Sequence, residues 1–394
     1  MRQAWRWFGP DAGVPLDTVR QAGATDVVSA LHDVPIGQAW TARQVAARKA
    51  LIEDTPPGRS PLVWSVIESI PVPDAVKRLG KGAKAEIDAW IASLEAVADN
   101  GIRIICFNFM PVVDWTRTDL DHELPDGATA MRFDQDRFAA FELHILQRKG
   151  AEADYSAEDR ARARAVFEAM DEQAVSSLVV NIASALPGST TEPLTIPEFR
   201  ERLDRYRDID AGRLRRHLAE FLETVAPVAE ARGVKLSLHP DDPPRPLFGL
   251  PRVVSTADDY AALFSAVPSA AVGMCFCTGS LGVRADNDLP AIARRFAPRI
   301  SFAHLRATKR EGDGRSFHEA AHLDGDVDMV AVLHALLAED RTRAPDETIV
   351  FRSDHGHRML DDLTKTVNPG YPAIGRLRGL AELRGVIHAL QASR

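Results

Sequence analysis

Cysteine is scarce in this sequence: only Cys106, Cys275 and Cys277 occur. An odd number with two cysteines at i, i+2 excludes a disulfide framework and favours a reducing compartment, so we expect a cytoplasmic location. The first ten residues lack the apolar core of a secretory signal. No apolar run approaches the roughly 18 residues that a membrane span requires, so we expect no membrane partner.

Clusters of basic residues are also missing. Asp and Glu number 56 against 48 Lys and Arg, which gives a formal net charge of −8. A surface of this kind does not neutralise a phosphate backbone, so we expect no nucleic-acid partner and disfavour a barrel endonuclease. Low-complexity tracts, Gly/Ser-rich linkers and internal repeats are absent too. The 394 residues, 45% of them hydrophobic, suit one large α/β domain or two ordinary domains.

What the chain does contain is a regular alternation of apolar runs and helical segments. Eight predicted strands span 5–8, 25–29, 61–68, 102–109, 234–239, 271–277, 300–306 and 348–354. Each is followed by helix before the next strand, which predicts a parallel sheet. Eight such units predict the fold class α/β, as a (β/α)8 TIM barrel, with a doubly wound open sheet as the alternative.

The helical segments show amphipathic spacing and end signals. They are predicted at 16–22, 41–53, 83–99, 136–149, 157–174, 196–209, 213–232, 256–266, 288–296, 326–338 and 374–391. The charged, alanine-rich stretch around 136–174 interrupts the alternation. We interpret 134–210 as a mainly helical insertion after strand 4, within a single barrel domain spanning 1–394.

Four predicted strands end in a side chain that can bind a metal. These side chains are His239, Cys277, His304 and Asp354. A closed barrel brings such ends together at one rim, whereas an open sheet spreads them along a line about 4.8 Å per strand. Two imidazoles, a thiolate and a carboxylate suit Mn, Fe, Co or Zn, and a closed tetrahedral zinc site has a similar pattern. By strand rise Cys275 lies about 7 Å deeper than Cys277, so we predict that Cys275 and Cys106 are buried core residues.

Other reactive side chains follow these strand ends. Arg306 shares a strand face with His304 and could hold a carboxylate, although a surface ion pair explains it equally well. His355 is left free beside Asp354 as an acid or base. Tyr371 follows a turn, from which its hydroxyl could reach a substrate.

The string HEAAH at 318–322 matches the zinc-protease pattern. That motif belongs on a helix, and here it lies in a predicted Gly/Asp-rich loop, so we disfavour a protease.

A longer set of strings resembles the mannonate dehydratases of hexuronate breakdown, which belong to the xylose-isomerase-like TIM barrels. The strings are WRWFGP at 5–10, CFNFMP at 106–111, DWTRTD at 114–119, HPDDPP at 239–244, CTGSLGVRADND at 277–288, HLR at 304–306, FHEAAH at 317–322, DHGH at 354–357 and NPGYPAIGR at 368–376. The insertion resembles the longer-chain branch of that family. One departure is Ser353, where a proline is expected before the aspartate.

The resemblance implies that water is removed from D-mannonate to give 2-keto-3-deoxy-D-gluconate. It implies a divalent metal, Mn²⁺ first, with Fe²⁺, Co²⁺ or Mg²⁺ as alternatives. We expect a small sugar-acid substrate and a homodimer. A metal-dependent sugar isomerase or epimerase, or a metal-stabilised binding protein, stays open as an alternative. The implied roles are metal ligands His239, Cys277, His304 and Asp354, catalytic residues His355, Tyr371 and Asp354, and substrate-binding residues Arg306, Asn108 and His318.

Overall fold

Twelve strands occur in the computed structural model, which describes residues 1–183 and 194–392. In chain order they are β1 (Arg2–Arg6), β2 (Asp26–Ser29), β3 (Val63–Glu68), β4 (Ile104–Phe107), β5 (Asp119–Glu123), β6 (Thr129–Phe133), β7 (Lys235–Leu238), β8 (Val272–Cys277), β9 (Ile300–His304), β10 (Ala307–Arg310), β11 (Phe317–Ala320) and β12 (Val350–Arg352).

Eight of these strands close into a parallel barrel in the order β1-β12-β9-β8-β7-β4-β3-β2. Each barrel strand therefore pairs with its neighbours in sequence. The first and last strands close the ring, with Gln3 opposite Phe351. The predicted (β/α)8 barrel is confirmed, and the open sheet is excluded. All eight predicted strands are present. Most are one to four residues shorter than predicted, and β1 begins three residues before the predicted strand at 5–8.

Fourteen α-helices accompany the strands in the described part of the chain. They are α1 (Leu16–Gln21), α2 (Ala42–Glu53), α3 (Asp74–Arg78), α4 (Ala83–Asp99), α5 (Gln135–Ala140), α6 (Ala157–Glu168), α7 (Glu172–Ala183), α8 (Ile196–Asp204), α9 (Ala211–Ala231), α10 (Ala257–Ala266), α11 (Thr278–Gly282), α12 (Leu289–Phe296), α13 (Met329–Asp340) and α14 (Ala373–Ala392). None of them is both long and apolar enough to cross a bilayer.

Two predicted helices are divided in the structure. The predicted helix at 157–174 is two helices, α6 and α7, because Asp171 caps a new helix by accepting a hydrogen bond from the Ala174 amide. The predicted helix at 136–149 continues past α5 as a π-helical turn, Phe141–Ile145. Helices fill the described part of 134–210, while its division from the barrel as an insertion stays a prediction.

A second sheet was not predicted. Strands β10, β11, β6 and β5 form an antiparallel sheet, built from the connections that follow the barrel strands β4 and β9. It includes Phe317–Ala320, so the HEAAH string begins on a strand and not in a loop. The structural context of a zinc protease is therefore absent from this string.

The barrel interior explains where the site lies. Side chains alternate along a strand, so every second residue points inward. One interior layer is apolar and includes both remaining cysteines, Cys106 and Cys275, which are 1% and 0% exposed as predicted. Its members are Ala4, Val28, Val66, Ile104, Cys106, Cys275, Phe302 and Val350.

Candidate active site and metal centre

The candidate site is the layer directly above this apolar layer, at the carboxyl ends of the strands. Two residues further along most of these strands, the inward positions become polar. Cys277, His304 and Arg352 are register partners on the adjacent strands β8, β9 and β12. The layer contains Arg6, Glu68, Asn108, His239, Cys277, His304 and Arg352.

The four predicted metal-binding side chains converge. Donor atoms of His239, Cys277 and His304 lie within 4.8 Å of one another. The Asp354 Oδ2 atom lies 3.9 Å from the Cys277 sulfur and 3.9 Å from His304 Nδ1. Asp354 has φ of 61°, a left-handed conformation that is unusual for a non-glycine residue and that occurs at functional sites.

His304 provides a direct test of whether a cation fits here. Its side chain is 1% exposed, yet neither ring nitrogen has a hydrogen-bond partner among the described residues. Nε2 lies 3.4 Å from Glu68 Oε2, which is not aligned as a hydrogen bond. A buried imidazole without partners is costly, and a metal would satisfy it. The donor set therefore fits a divalent transition metal.

The surrounding charges keep Cys277 and Asp354 in their ligating forms. Burial would raise the pKa of the Cys277 thiol, but Arg306 and His239 lower it well below its usual range. Burial would likewise raise the pKa of Asp354, but Arg352 and His355 lower it well below its usual value. Thiolate and carboxylate are the forms that bind metals.

A buried network of arginines and carboxylates holds this layer in place. Arg306 donates to Asp242 over 2.8 Å and also bonds to Glu319. Arg117 joins the same two acids over 2.7 and 2.9 Å. On the opposite side, Arg6 and Arg352 both bond to Glu68, and Arg352 also bonds to Asp354. Four arginines thus balance four acids: Arg6, Arg117, Arg306 and Arg352 against Glu68, Asp242, Glu319 and Asp354.

The predicted proton-transfer residues lie next to each other at the edge of this cavity. The rings of His355 and Tyr371 are edge to face, with centroids 5.1 Å apart. His355 Nδ1 lies 3.2 Å from Glu319 Oε1 and 2.9 Å from Arg306 NH1. Arg6 donates to the Tyr371 hydroxyl over 3.2 Å. Burial raises the pKa of Tyr371, against the lowering effects of Arg6 and Arg352, so the phenol keeps its proton.

The three predicted substrate-binding residues differ in position. Asn108 and Arg306 line the cavity together with Trp115, His239 and His355. Arg306 is 2% exposed and already bonded to protein carboxylates, so its contact with substrate stays a prediction. His318 does not lie with the others.

His318 points away because it alternates with Glu319 along β11. Its Nδ1 lies 3.4 Å from Glu311 Oε1, and its ring faces His122. Its assignment to substrate binding stays a prediction that these contacts do not support.

Six members of the buried arginine–carboxylate network were not predicted from the sequence: Arg6, Glu68, Asp242, Arg117, Glu319 and Arg352. Three of them could have been found, because Arg6, Glu68 and Arg352 are the last residues of barrel strands, as Cys277 is. The other three come from loops or from the second sheet.

Comparison with known proteins identifies the family of the chain. The family model for UxuA, D-mannonate dehydratase, matches residues 1–394. The mannonate dehydratase of Brucella canis is 74% identical over 392 residues, which cover 100% of this chain and 98% of that protein. The mannonate dehydratase of Chromohalobacter salexigens is 53% identical over 393 residues, with 99% of each chain covered.

Solved structures extend the comparison. The crystal structure of mannonate dehydratase from Streptococcus suis serotype 2 matches with a TM-score of 0.77 at 30% identity, covering 100% of this chain and 94% of that chain. A xylose isomerase-like TIM barrel protein from Mycobacterium smegmatis shares the fold, with a TM-score of 0.50 at 14% identity and coverage of 98% and 97%.

The closed barrel and its polar layer at the strand ends define a (β/α)8 TIM barrel with its candidate site at the carboxyl ends of the strands. The full-length family match and the curated relatives make the assignment more specific. The chain belongs to the D-mannonate dehydratase (UxuA) family.

Proposed function

We propose that the site converts D-mannonate into 2-keto-3-deoxy-D-gluconate and water. The observation that supports this most strongly is the convergence of His239, Cys277, His304 and Asp354 beside His355 and Tyr371. Full-length relatives named mannonate dehydratase support the same reaction, and they do not favour the isomerase or epimerase alternative.

A divalent metal fits the donor set, and we propose Mn²⁺, with Fe²⁺, Co²⁺ and Mg²⁺ as alternatives. The residues that would hold it are His239, Cys277, His304 and Asp354. When bound, it would act as a Lewis acid on the substrate carboxylate, beside which the C2 proton is otherwise only weakly acidic.

The side chains of this chain would carry the two proton transfers. His355 would remove the C2 proton through Nε2 in the tautomer that carries its proton on Nδ1 and donates it to Glu319, 3.2 Å away. In this tautomer the Arg306 nitrogen 2.9 Å from Nδ1 is a close contact and not a hydrogen bond. The electron pair of the C2–H bond would form the C2–C3 double bond as the C3–O bond breaks. Tyr371 would donate its proton to the departing 3-hydroxyl, which leaves as water. The enol then becomes the 2-keto product, and both residues return to their initial protonation states through solvent.

The proposed reaction is tested by incubating metal-reconstituted protein with D-mannonate and a panel of other aldonates. A 2-keto-3-deoxy acid is expected from D-mannonate, while a product that keeps every oxygen would indicate an isomerase or epimerase. No product from any aldonate, with metal bound, would reject the proposal in favour of a binding protein.

The roles of His355 and Tyr371 are tested by His355→Asn and Tyr371→Phe. Each should lower kcat by about 10²–10⁴-fold, since positioned acid–base groups contribute that much. Tyr371→Phe keeps the ring contacts with Phe8 and His355, so its fold and metal content should be unchanged. Near-normal turnover of both variants with metal bound would exclude these roles.

A further inference from the structure

Cys106 and Cys275 have no role in the proposed reaction. They project into the barrel from β4 and β8, on either side of β7, in the apolar layer below the catalytic residues. Both are free thiols, at 1% and 0% exposure. Both side chains pack in the apolar core, and both also lie close to another side chain that can bind a metal.

The two sulfur atoms and a ring nitrogen of His304 lie within 4.8 Å of one another. This donor set is distinct from the His239, Cys277 and His304 set, and it lies on its lower side because both thiols are one layer deeper. Ser237, the register partner of Cys106 on β7, is fully buried, and its hydroxyl has no hydrogen-bond partner among the described residues. A buried polar group without a partner is costly. The ring nitrogens of His304 and the Ser237 hydroxyl are such groups among the described residues, and a cation beside them would supply a partner.

We propose that Cys106, Cys275 and His304 form a second metal site that binds a soft d¹⁰ ion, with Zn²⁺ as the biological candidate. Two thiolates and one imidazole are a zinc donor set, and thiolates select soft ions over Mn²⁺ or Mg²⁺. We call this second site the lower site, and the donors His239, Cys277, His304 and Asp354 the upper set. The upper set contains the hard carboxylate of Asp354, so the two sites differ in the class of metal that they favour.

His304 belongs to both donor sets, which couples the two sites. An ion in the lower site removes a ligand from the upper set, so zinc should displace the catalytic metal without competing for Asp354. The lower site therefore provides a route by which a thiophilic metal inhibits the enzyme.

Cd²⁺ reports on the lower site, because each cadmium–thiolate bond adds ultraviolet charge-transfer absorption. The three cysteines of the chain divide between the sites: Cys277 above, Cys106 and Cys275 below. Metal-free Cys277→Ala protein with excess Cd²⁺ should retain about twice the absorption of the Cys106→Ala/Cys275→Ala double variant, since two thiolates remain against one. The cysteine-free triple variant gives the baseline.

The opposite result would overturn the proposal. In that result the cadmium–thiolate absorption of Cys277→Ala equals that of the cysteine-free variant, and the absorption of the double variant equals that of the wild type. Cys277→Ala leaves the apolar layer intact, so the test stands even if the double variant fails to fold. In that case Cys275→Ala/Cys277→Ala should fall to about half the signal of Cys277→Ala, because a single thiolate remains.

Zinc itself provides a second measurement. X-ray absorption at the zinc edge of Zn²⁺-loaded Cys277→Ala should show sulfur ligands at about 2.3 Å and nitrogen at about 2.0 Å. Zinc surrounded only by nitrogen and oxygen would exclude the lower site. In Mn²⁺-loaded enzyme, Cys275→Ala should raise the zinc concentration for half-inhibition by about tenfold, because the site loses a thiolate. An unchanged zinc concentration for half-inhibition would show that zinc does not inhibit through the lower site.

Discussion

Glu319 occupies a position where one carboxylate organises two functional residues. Its Oε1 bonds to Arg306 and Arg117 and faces His355 Nδ1. Burial would raise its pKa, but Arg306, His355 and Arg117 lower the pKa to about 2, so the carboxylate is ionised at neutral pH. An ionised acceptor beside Nδ1 would fix the imidazole orientation and leave Nε2 free for the proton transfer that we propose.

Glu319→Gln should therefore lower kcat by about 10- to 100-fold, the usual effect of removing such an orienting partner, with a smaller change in KM. Steady-state kinetics on D-mannonate measure both values. Glu311→Gln is the matched control, because Glu311 pairs with Arg132 outside the cavity. An unchanged kcat in the Glu319→Gln enzyme would show that Glu319 is not a positioning residue for the reaction.

The sequence predicted the donor residues because each lies where an apolar run ends, and a closed barrel places all such ends at one rim. It did not predict the ion pairs that hold them. Arg117 and Glu319 are separated by 202 positions, and neither lies on a barrel strand. Long-range pairing between a loop residue and a residue of the second sheet has no periodic signal in the sequence, so these contacts become visible only in three dimensions.

At the scale of elements, the same reasoning explains which strands were found. Barrel strands are apolar because both of their faces are buried. Strand β5, Asp-Leu-Asp-His-Glu, has no buried residue, and its mixed polar composition resembles a loop. The second sheet was therefore missed, although it brings Glu319 to the site.

Helix α14 supports the site through a close contact at Gly379. A Cβ atom there would lie 2.0 Å from His322 Cε1, while a Cβ at Gly385 in the same helix meets nothing within 4 Å. His322 in turn contacts the Ser353 carbonyl oxygen over 2.6 Å, next to Asp354. The helix thus packs through His322 against the segment that carries Asp354.

Gly379→Ala should destabilise the protein by about 1–3 kcal/mol through overpacking. Gly385→Ala should instead be neutral or stabilise by about 0.5–1 kcal/mol, because alanine is the better helix residue. Urea unfolding of both variants measures the difference. Equal stability of the two variants would mean that α14 does not pack on His322 as described.

For the whole molecule, the buried acids make stability depend on pH. Glu319 and Asp242 both have lowered pKa values, because nearby arginines outweigh the effect of burial. A lowered folded-state pKa stabilises the protein above the unfolded-state value near 4.5, and this stability is lost as pH falls towards the folded-state value. We expect the free energy of unfolding to fall steeply between about pH 5 and pH 2.

Urea unfolding at several pH values measures this dependence. Glu319→Gln removes one of the titrating groups, so its stability should fall less steeply over the same range. The control is again Glu311→Gln, which should change the slope less because Glu311 is half-buried. Parallel curves for wild type and Glu319→Gln would contradict a strongly lowered pKa for this group.

Metal binding should stabilise the entire fold, because the four upper donors come from separate strands that are held together only in the folded barrel. A ligand at 100 times its Kd adds about 2.7 kcal/mol of stability. With an unfolding entropy of about 2.1 cal/mol/K per residue, this corresponds to a Tm increase of about 3 °C for a chain of this size.

Thermal melts of chelator-treated protein, with and without Mn²⁺, measure this increase. Asp354→Asn should abolish it, since this substitution weakens the upper donor set and leaves both interior thiols and His304 in place. Glu311→Gln should keep the full increase. Two results would contradict a cation site shared by the four strand ends. In one, the Tm of the wild type does not change with Mn²⁺, and in the other, the Tm of Asp354→Asn rises as much as that of the wild type.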